Sequence, residues 1–370
     1  MHSSQALLTP GTENSVWDYS NLNFSEYLVW ARNLLQKNRC DLTPESQDTI
    51  LSANMPFEFK PCQSTPTRKG ILLVHGLLSS PLSMHDIGLY WKKQNFLVRG
   101  MLLPGHGTRP GDLLKVSLSD WAASIEFGIN SLRQEVDEIW LGGLSGGASL
   151  VLHSALTHSD VQGLLLFAPS LKLKNPLAPF LPSLDFVHKK LSIPYWPEIQ
   201  EENDYAKYRS YPLHFGAQAH KLTHLIQQET RQKKLSCPLW VILAEDDETI
   251  CNKAVMRFFL NTPHPASRLL IYAKYVQNQP DKRIIYRNSH FPHENILDFS
   301  HACLTFSPEN SHYGRHGDYL PPLHEAKKTA NHAEYRGALS RYNLKQYRIR
   351  RLSYNPDFQT MMKQLSDFML

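Results

Sequence analysis

Residues 138–147 read EIWLGGLSGG, and Ser145 stands within Gly143-Leu144-Ser145-Gly146-Gly147. An apolar, strand-like run precedes it and a helix-forming run, ASLVLHSAL, follows. A serine on so abrupt a strand-to-helix turn needs neighbours without side chains, and the turn lifts its hydroxyl clear of the sheet edge. The first turn of the following helix presents unpaired N–H groups and partial positive charge, which suit a developing oxyanion. The chemistry this predicts is nucleophilic attack by Ser145 on an acyl carbon. The bare pentapeptide also arises by chance, as a glycine-rich turn with an incidental serine. The strand before it and the helix after it favour the nucleophile.

A hydroxyl attacks poorly until a base takes its proton, and an imidazole base needs a carboxylate to fix its tautomer. Downstream, the buried run Leu239–Leu243 leads into Ala244-Glu245-Asp246-Asp247-Glu248-Thr249-Ile250. The Ala-x-x-Asp-x-x-Ile spacing puts Asp247 in the turn, with Ile250 leading into the next helix. Asp247 is therefore the expected acid and Asp246 the runner-up, while Glu245 and Glu248 read as solvated or capping. The expected base is His290, which follows a strand in Tyr286-Arg287-Asn288-Ser289-His290-Phe291; His293 is the runner-up. With 18 histidines in the chain, residue type alone selects nothing. The strand ending at Val74 runs into His75-Gly76-Leu77. A tight turn there would bring the Leu77 N–H beside that of Gly146 as an oxyanion hole, the alternative being a plain strand-end turn. His75, and His106 in Pro104-Gly105-His106-Gly107, read as structural.

The elements that must carry these residues alternate. Strand-like runs at Ile71–Val74, Phe96–Leu103, Glu138–Leu141, Val161–Phe167 and Leu239–Leu243 are separated by helical stretches near Met84–Lys93, Ser119–Leu132, Ala148–Leu156 and Lys253–Leu260. Short apolar strands between amphipathic helices predict an α/β fold, a mostly parallel sheet covered on both faces, with ligands along the strands' C-terminal edge. Two more strand-like runs follow, Arg268–Ala273 and Lys282–Tyr286. Residues 1–66 are a lead-in packed on the core. They hold a short strand at Phe57–Lys60 and a helix whose Phe24, Leu28, Ala31, Leu34 and Leu35 share a face, with Ser25 as its N-cap. A membrane-surface role for that helix is the less favoured reading. Residues 67–170 and 236–370 form the core. The proline-rich, apolar stretch 171–235 is an inserted cap, and its Leu177, Phe180, Leu181, Leu184, Phe186, Val187, Leu191, Ile193, Tyr195 and Trp196 either cover the site or pack the cap on the body. A segment rich in His, Tyr and Pro, 300–343, precedes a final helix with Phe358, Met361, Met362, Leu365 and Phe368 on one face.

Composition narrows the classes. The 370 residues are 42% apolar and 20% charged, and the net charge of +5 is too small for a dedicated nucleic-acid binder. No apolar run is long enough to span a membrane, and no basic start followed by an apolar stretch marks a signal peptide. Five irregularly spaced cysteines without a CxxC pair suggest a reduced, cytoplasmic chain. His301, His312, His316 and His324 are irregularly spaced on loops, so no metal is expected. No phosphate loop or dinucleotide fingerprint calls for a cofactor. The basic run Lys345, Arg348, Arg350 and Arg351 reads as a solvated face rather than an anionic-lipid contact.

Together, VHGLLSSP, LLPGHGTRPGDL, GGLSGG, AEDDETI and NSHF resemble the α/β-hydrolase superfamily, in its carboxylesterase and monoacylglycerol lipase-like branch of serine-aminopeptidase type. The likeness covers about Gly70–His293. It implies Ser145 as nucleophile, Asp247 as orienting acid, His290 as base, and the Leu77 and Gly146 N–H groups as oxyanion donors. It also implies a small-molecule ester or lipid-like substrate with a hydrophobic acyl group. Lysophospholipase, thioesterase and acyltransferase chemistry would use the same three residues, and a non-catalytic binding protein on this fold is the remaining alternative. Gly146, where that branch often has Met, Gln or Thr, and the long segment after the histidine are departures from the pattern.

Overall fold

The computed structural model describes residues 6–11, 19, 21–61, 68–174, 177–191, 194–275, 280–326 and 333–369. Cys62, Pro176 and Ile193 lie outside them. Eight strands form the main sheet: β1 (Phe57–Phe59), β2 (Lys69–Val74), β3 (Leu97–Met101), β4 (Glu138–Leu144), β5 (Val161–Phe167), β6 (Leu239–Ala244), β7 (Arg268–Ala273) and β8 (Ile284–Asn288). Their order is β1-β3-β2-β4-β5-β6-β7-β8; β1 runs antiparallel to β3 and the remaining neighbours are parallel. Helices on both faces and an inserted helical region complete an α/β-hydrolase fold. The interior strands hold continuous apolar runs such as ILLV and LWVILA, as a sheet buried on both sides requires.

Both late strand-like runs join the sheet, β7 inside and β8 at its edge. The strand expected at Phe96–Leu103 is β3, which stops at Met101, two residues short of the expected end. Its next N–H groups turn to side chains: Leu102 N–H donates to the Tyr27 hydroxyl and Leu103 N–H to His75 Nε2, each at 3.1 Å.

In the lead-in, α1 (Phe24–Asn38) and α2 (Gln47–Asn54) pack on the body. The cap of α1 is Asn23, not Ser25. Asn23 Oδ1 accepts from Glu26 N–H at 3.0 Å while the Glu26 carboxylate accepts from Asn23 N–H at 2.9 Å, a reciprocal pair that a serine inside the first turn cannot make. Tyr27 is fully buried on the same helix and was missed by the apolar pattern.

The core helices are α3 (Leu82–Lys93), α4 (Leu118–Arg133), α5 (Gly146–Ala155) and α8 (Asn252–Leu260). Between β5 and β6 lie α6 (Leu181–Lys190) and α7 (Leu213–Gln232). Helix α7 packs on α5 and buries Phe215, Leu222 and Ile226. Helix α6 rests on α7, yet among its described residues only Asp185 is buried. Beyond β8 the chain forms an arm across the strands' C-terminal edge. It carries a small sheet of β9 (Leu323–His324), β10 (Glu334–Gly337) and β11 (Arg348–Arg351), in the order β10-β11-β9. The arm ends in α9 (Phe358–Met369), which buries Phe358, Met361, Met362 and Leu365 as its spacing predicts, while the Phe368 ring sits 5.1 Å from that of Trp240. Among the described residues no helix is long and apolar enough to cross a membrane.

Candidate active site

Ser145 occupies the turn between β4 and α5 with φ +54°, a backbone conformation that side chains rarely adopt. Local bonds hold it there. Its N–H donates to Phe167 O at 2.8 Å, and its carbonyl accepts from Ser149 N–H at 3.2 Å and Ser170 N–H at 3.1 Å. Strain of this kind is kept where the surroundings over-determine it, commonly at functional sites. The glycines are explained by space. A Cβ on Gly147 would lie 2.2 Å from His75 O, and one on Gly143 would lie 2.6 Å from Ala148 N.

The loop after β2 approaches from one side. Leu77 and Gly146 are adjacent, since a Cβ on Gly146 would stand 2.4 Å from Leu77 Cγ. Among the described residues neither N–H has a protein acceptor. Two histidines fix this loop. His75 Nδ1 donates to Gly76 O at 2.8 Å while its Nε2 accepts from Leu103 N–H. His106 Nδ1 donates to Pro104 O at 3.0 Å while its Nε2 accepts from Leu78 N–H at 3.1 Å. Each ring thus joins two loops through one donor and one acceptor, a pattern only the neutral imidazole can make. Burial drives His75 well below the usual histidine range, the neighbouring His106 adds to this, and the bond to Gly76 opposes it. Burial likewise brings His106 down to about 4.

An imidazole kept neutral in the folded state takes its proton first in the unfolded chain. The stability His106 contributes is therefore complete above pH 6.5 and is lost as the pH falls from there toward 4. The amount is about 3 kcal/mol. Urea unfolding of wild type and His106→Asn across this window should show the variant losing about 3 kcal/mol less; parallel pH profiles would refute the assignment.

Asp247 is fully buried at the end of β6. Its Oδ1 accepts from Thr249 N–H at 2.7 Å and Ile250 N–H at 3.0 Å, so the turn predicted from sequence also locks the carboxylate. Its Oδ2 meets His301 Nδ1 at 2.6 Å. Burial alone would raise this carboxyl, but the His301 ring and the two N–H donors more than offset it and hold Asp247 below its ordinary value.

The histidine brought to Asp247 is thus His301, not the expected His290. His290 Nδ1 faces Leu297 O at 3.1 Å, and its backbone is bound by the Asn288 side chain. The runner-up His293 is exposed in a short helical turn, Pro292–Glu294. The reason is the length of the excursion after β8. Phe291 bridges to Ile296, Asn295 turns in the left-handed region, and the chain reaches Asp247 only at residue 301. Both candidates follow a serine, Ser289 and Ser300, so their local sequence does not separate them. Asp246, the alternative acid, does not hold His301. Glu248, read as solvated or capping, holds its backbone: Oε2 accepts from His301 N–H at 3.2 Å, and the other oxygen lies 2.5 Å from Arg351 Nη2.

Ser145, Leu77 and His301 line one cavity of about 470 Å³. Among the described residues His301 Nε2 has no protein partner. The arrangement brings a hydroxyl on a strained turn, a ring held by a buried carboxylate and two unpaired N–H groups to one edge of the sheet. That set can take a proton from the serine and stabilise negative charge on an acyl oxygen.

The cavity walls come from unexpected places. Tyr208 and Tyr211 of the insertion and Phe306, Tyr313 and Tyr319 of the arm line it. The apolar residues of α6 do not. Phe180, just before α6, is 62% and Phe186, on it, 59% exposed, so these two fill neither expected role, covering the site or packing the insertion on the body. The basic run on β11 is not a free face either. Arg348 pairs with Glu325, Arg350 with Glu334, and Arg351 with Glu248.

A family profile described as serine aminopeptidase, S33, matches residues 65–276, a stretch that ends before His290 and His301. Over 210 residues the chain is 28% identical to a thermostable monoacylglycerol lipase of Bacillus sp. (strain H-257), covering 55% of this chain and 78% of that one. Among solved structures it resembles one from a study of LipS and LipT, two metagenome-derived lipolytic enzymes. The TM-score is 0.51 at 20% identity, over 60% of this chain and 87% of that one, a likeness of fold.

Proposed function

Since the chain belongs to the serine aminopeptidase S33 family and is a serine hydrolase of the esterase and lipase type, we propose that it cleaves small carboxylic esters through an acyl-serine on Ser145. The general base is His301 and the orienting acid Asp247. The observation that carries this reading is the 2.6 Å contact of Asp247 Oδ2 with His301 Nδ1, in a ring that shares its cavity with Ser145. The ionised carboxylate accepts a hydrogen bond from Nδ1–H, which keeps its proton, and so leaves Nε2 as the acceptor for the serine proton.

As Ser145 Oγ bonds the ester carbon, its proton passes to His301 Nε2, and the carbonyl oxygen takes the negative charge beside the Leu77 and Gly146 N–H groups. Collapse breaks the bond to the alcohol, which leaves with the proton from His301. Water then attacks the acyl-serine, giving its proton to His301, and the acid departs as Ser145 Oγ recovers it. Leu77, Leu144, Phe306 and Leu352 supply the apolar side of the cavity for an acyl group.

A fluorophosphonate probe is expected to label the wild type and to leave Ser145→Ala unlabelled. Equal labelling of the variant, or ester turnover unaffected by the substitution, would refute the proposal.

A further inference from the structure

The cavity beside Ser145 is not uniformly apolar: Lys207 and Arg351 stand in its wall with Leu77, Leu144 and Phe306. Among the described residues no carboxylate reaches ion-pairing distance of Lys207 Nζ. The nearby acids are committed elsewhere. Asp204 accepts from the Tyr313 hydroxyl at 2.7 Å, from Ala206 N–H at 3.0 Å and from His312 at 3.1 Å. Glu248 is shared between His301 N–H and the Arg351 guanidinium. The Arg351 Nε is buried without an acceptor among the described residues, so Glu248 does not satisfy this guanidinium completely.

A partly buried cation without a counter-charge is costly unless something supplies one. Burial depresses Lys207 to about 8; Arg351 and Arg209 push the same way, and Asp204 and Glu248 oppose them without restoring the usual value. Glu198, Asp204 and Arg209 also line the cavity, but neither acid makes an ion pair with Lys207 among the described residues, and the wall opens on Ser145.

We propose that Lys207, with Arg351 beside it, forms an anion-binding subsite of the Ser145 cavity, so that the substrate is an ester bearing an oxyanion group, carboxylate or phosphate, on the part that lies against this wall. The inference rests on the ester hydrolase reading above and adds the substrate's charge. The ligand's oxygens provide the acceptor that Lys207 lacks, with the Arg351 guanidinium adding charge beside it, while the ester carbonyl lies at Ser145. A neutral ester of the same length leaves the ammonium uncompensated and forfeits a charge-assisted hydrogen bond.

The test compares 4-nitrophenyl hexanoate with the mono-4-nitrophenyl ester of hexanedioic acid, which differ by a terminal carboxylate. The readout is the ratio of their kcat/KM values. Wild type should favour the charged ester by roughly tenfold or more, Lys207→Met should abolish that preference, and Lys207→Arg should restore much of it. A second arm follows the melting temperature of Ser145→Ala protein with added hexanedioate or phenyl phosphate, and again after Lys207→Met. Protection by either anion that needs Lys207 supports the subsite, and the anion that protects identifies the group. Equal treatment of the two esters by wild type and Lys207→Met, with no Lys207-dependent protection, would overturn the subsite and leave ester hydrolysis standing. Absence of Ser145-dependent turnover of both esters would instead overturn the hydrolase reading, and the melting arm would still decide the subsite.

Discussion

His301→Ala is expected to lower kcat for ester hydrolysis by roughly 10⁵-fold, close to the loss caused by Ser145→Ala, because nucleophile and base act as a unit. His290→Ala should leave turnover near the wild-type value. The two histidines are eleven positions apart after the same strand, and each follows a serine. They differ in what faces the ring: a buried carboxylate at 2.6 Å for His301, a backbone carbonyl at 3.1 Å for His290. A carboxylate stabilises the imidazolium formed during attack far more than a neutral carbonyl does. Steady-state kinetics of the two variants decide the matter, with a melting curve to show that each is folded. A His301→Ala enzyme as active as wild type would remove His301 from the mechanism, and a collapse of activity in His290→Ala would return the role to that residue.

Gly147→Ala should damage folding rather than chemistry. The added methyl would stand 2.2 Å from His75 O and 2.5 Å from Val74 O. Both are backbone atoms, so no rotamer change relieves the overlap, and either α5 or the end of β2 must move. The expected loss is about 4 kcal/mol or more, read as a lower urea midpoint or as insoluble protein. Gly76→Ala is the internal control. Its methyl would find nothing closer than 3.5 Å, and its cost should stay near 1 kcal/mol. Similar stabilities for the two variants would show that the serine turn can yield where the packing says it cannot.

These two cases mark what the sequence discloses. The serine turn was legible because its demands are local: Gly143 and Gly147 are required by atoms within a few residues or at the end of the adjoining strand. Asp247 was legible for the same reason, since the N–H groups that hold it belong to Thr249 and Ile250. The parallel sheet followed from apolar runs whose burial on both faces admits few other arrangements. His301 was not legible, because its selection depends on how far the chain travels after β8 before it turns back, and Ser-His occurs at both stopping points. The site walls were hidden too. Apolar residues in and just before α6 announce that a surface is greasy, not which way it faces, and Phe180 and Phe186 look outward. Nor does a basic tetrad reveal that Arg351 will lie against Glu248 inside a cavity.

The arm that carries His301 has a bearing on truncation. Phe299, Phe306, Tyr354 and Phe358 of the arm sit in the same apolar core as the strands of the main sheet, so the segment that sets the ring against Asp247 is anchored by the packing that completes the sheet. The Ser145 turn, held by Phe167 and Ser170, does not depend on that segment. A chain ending before residue 301 would therefore lack part of its core as well as the imidazole.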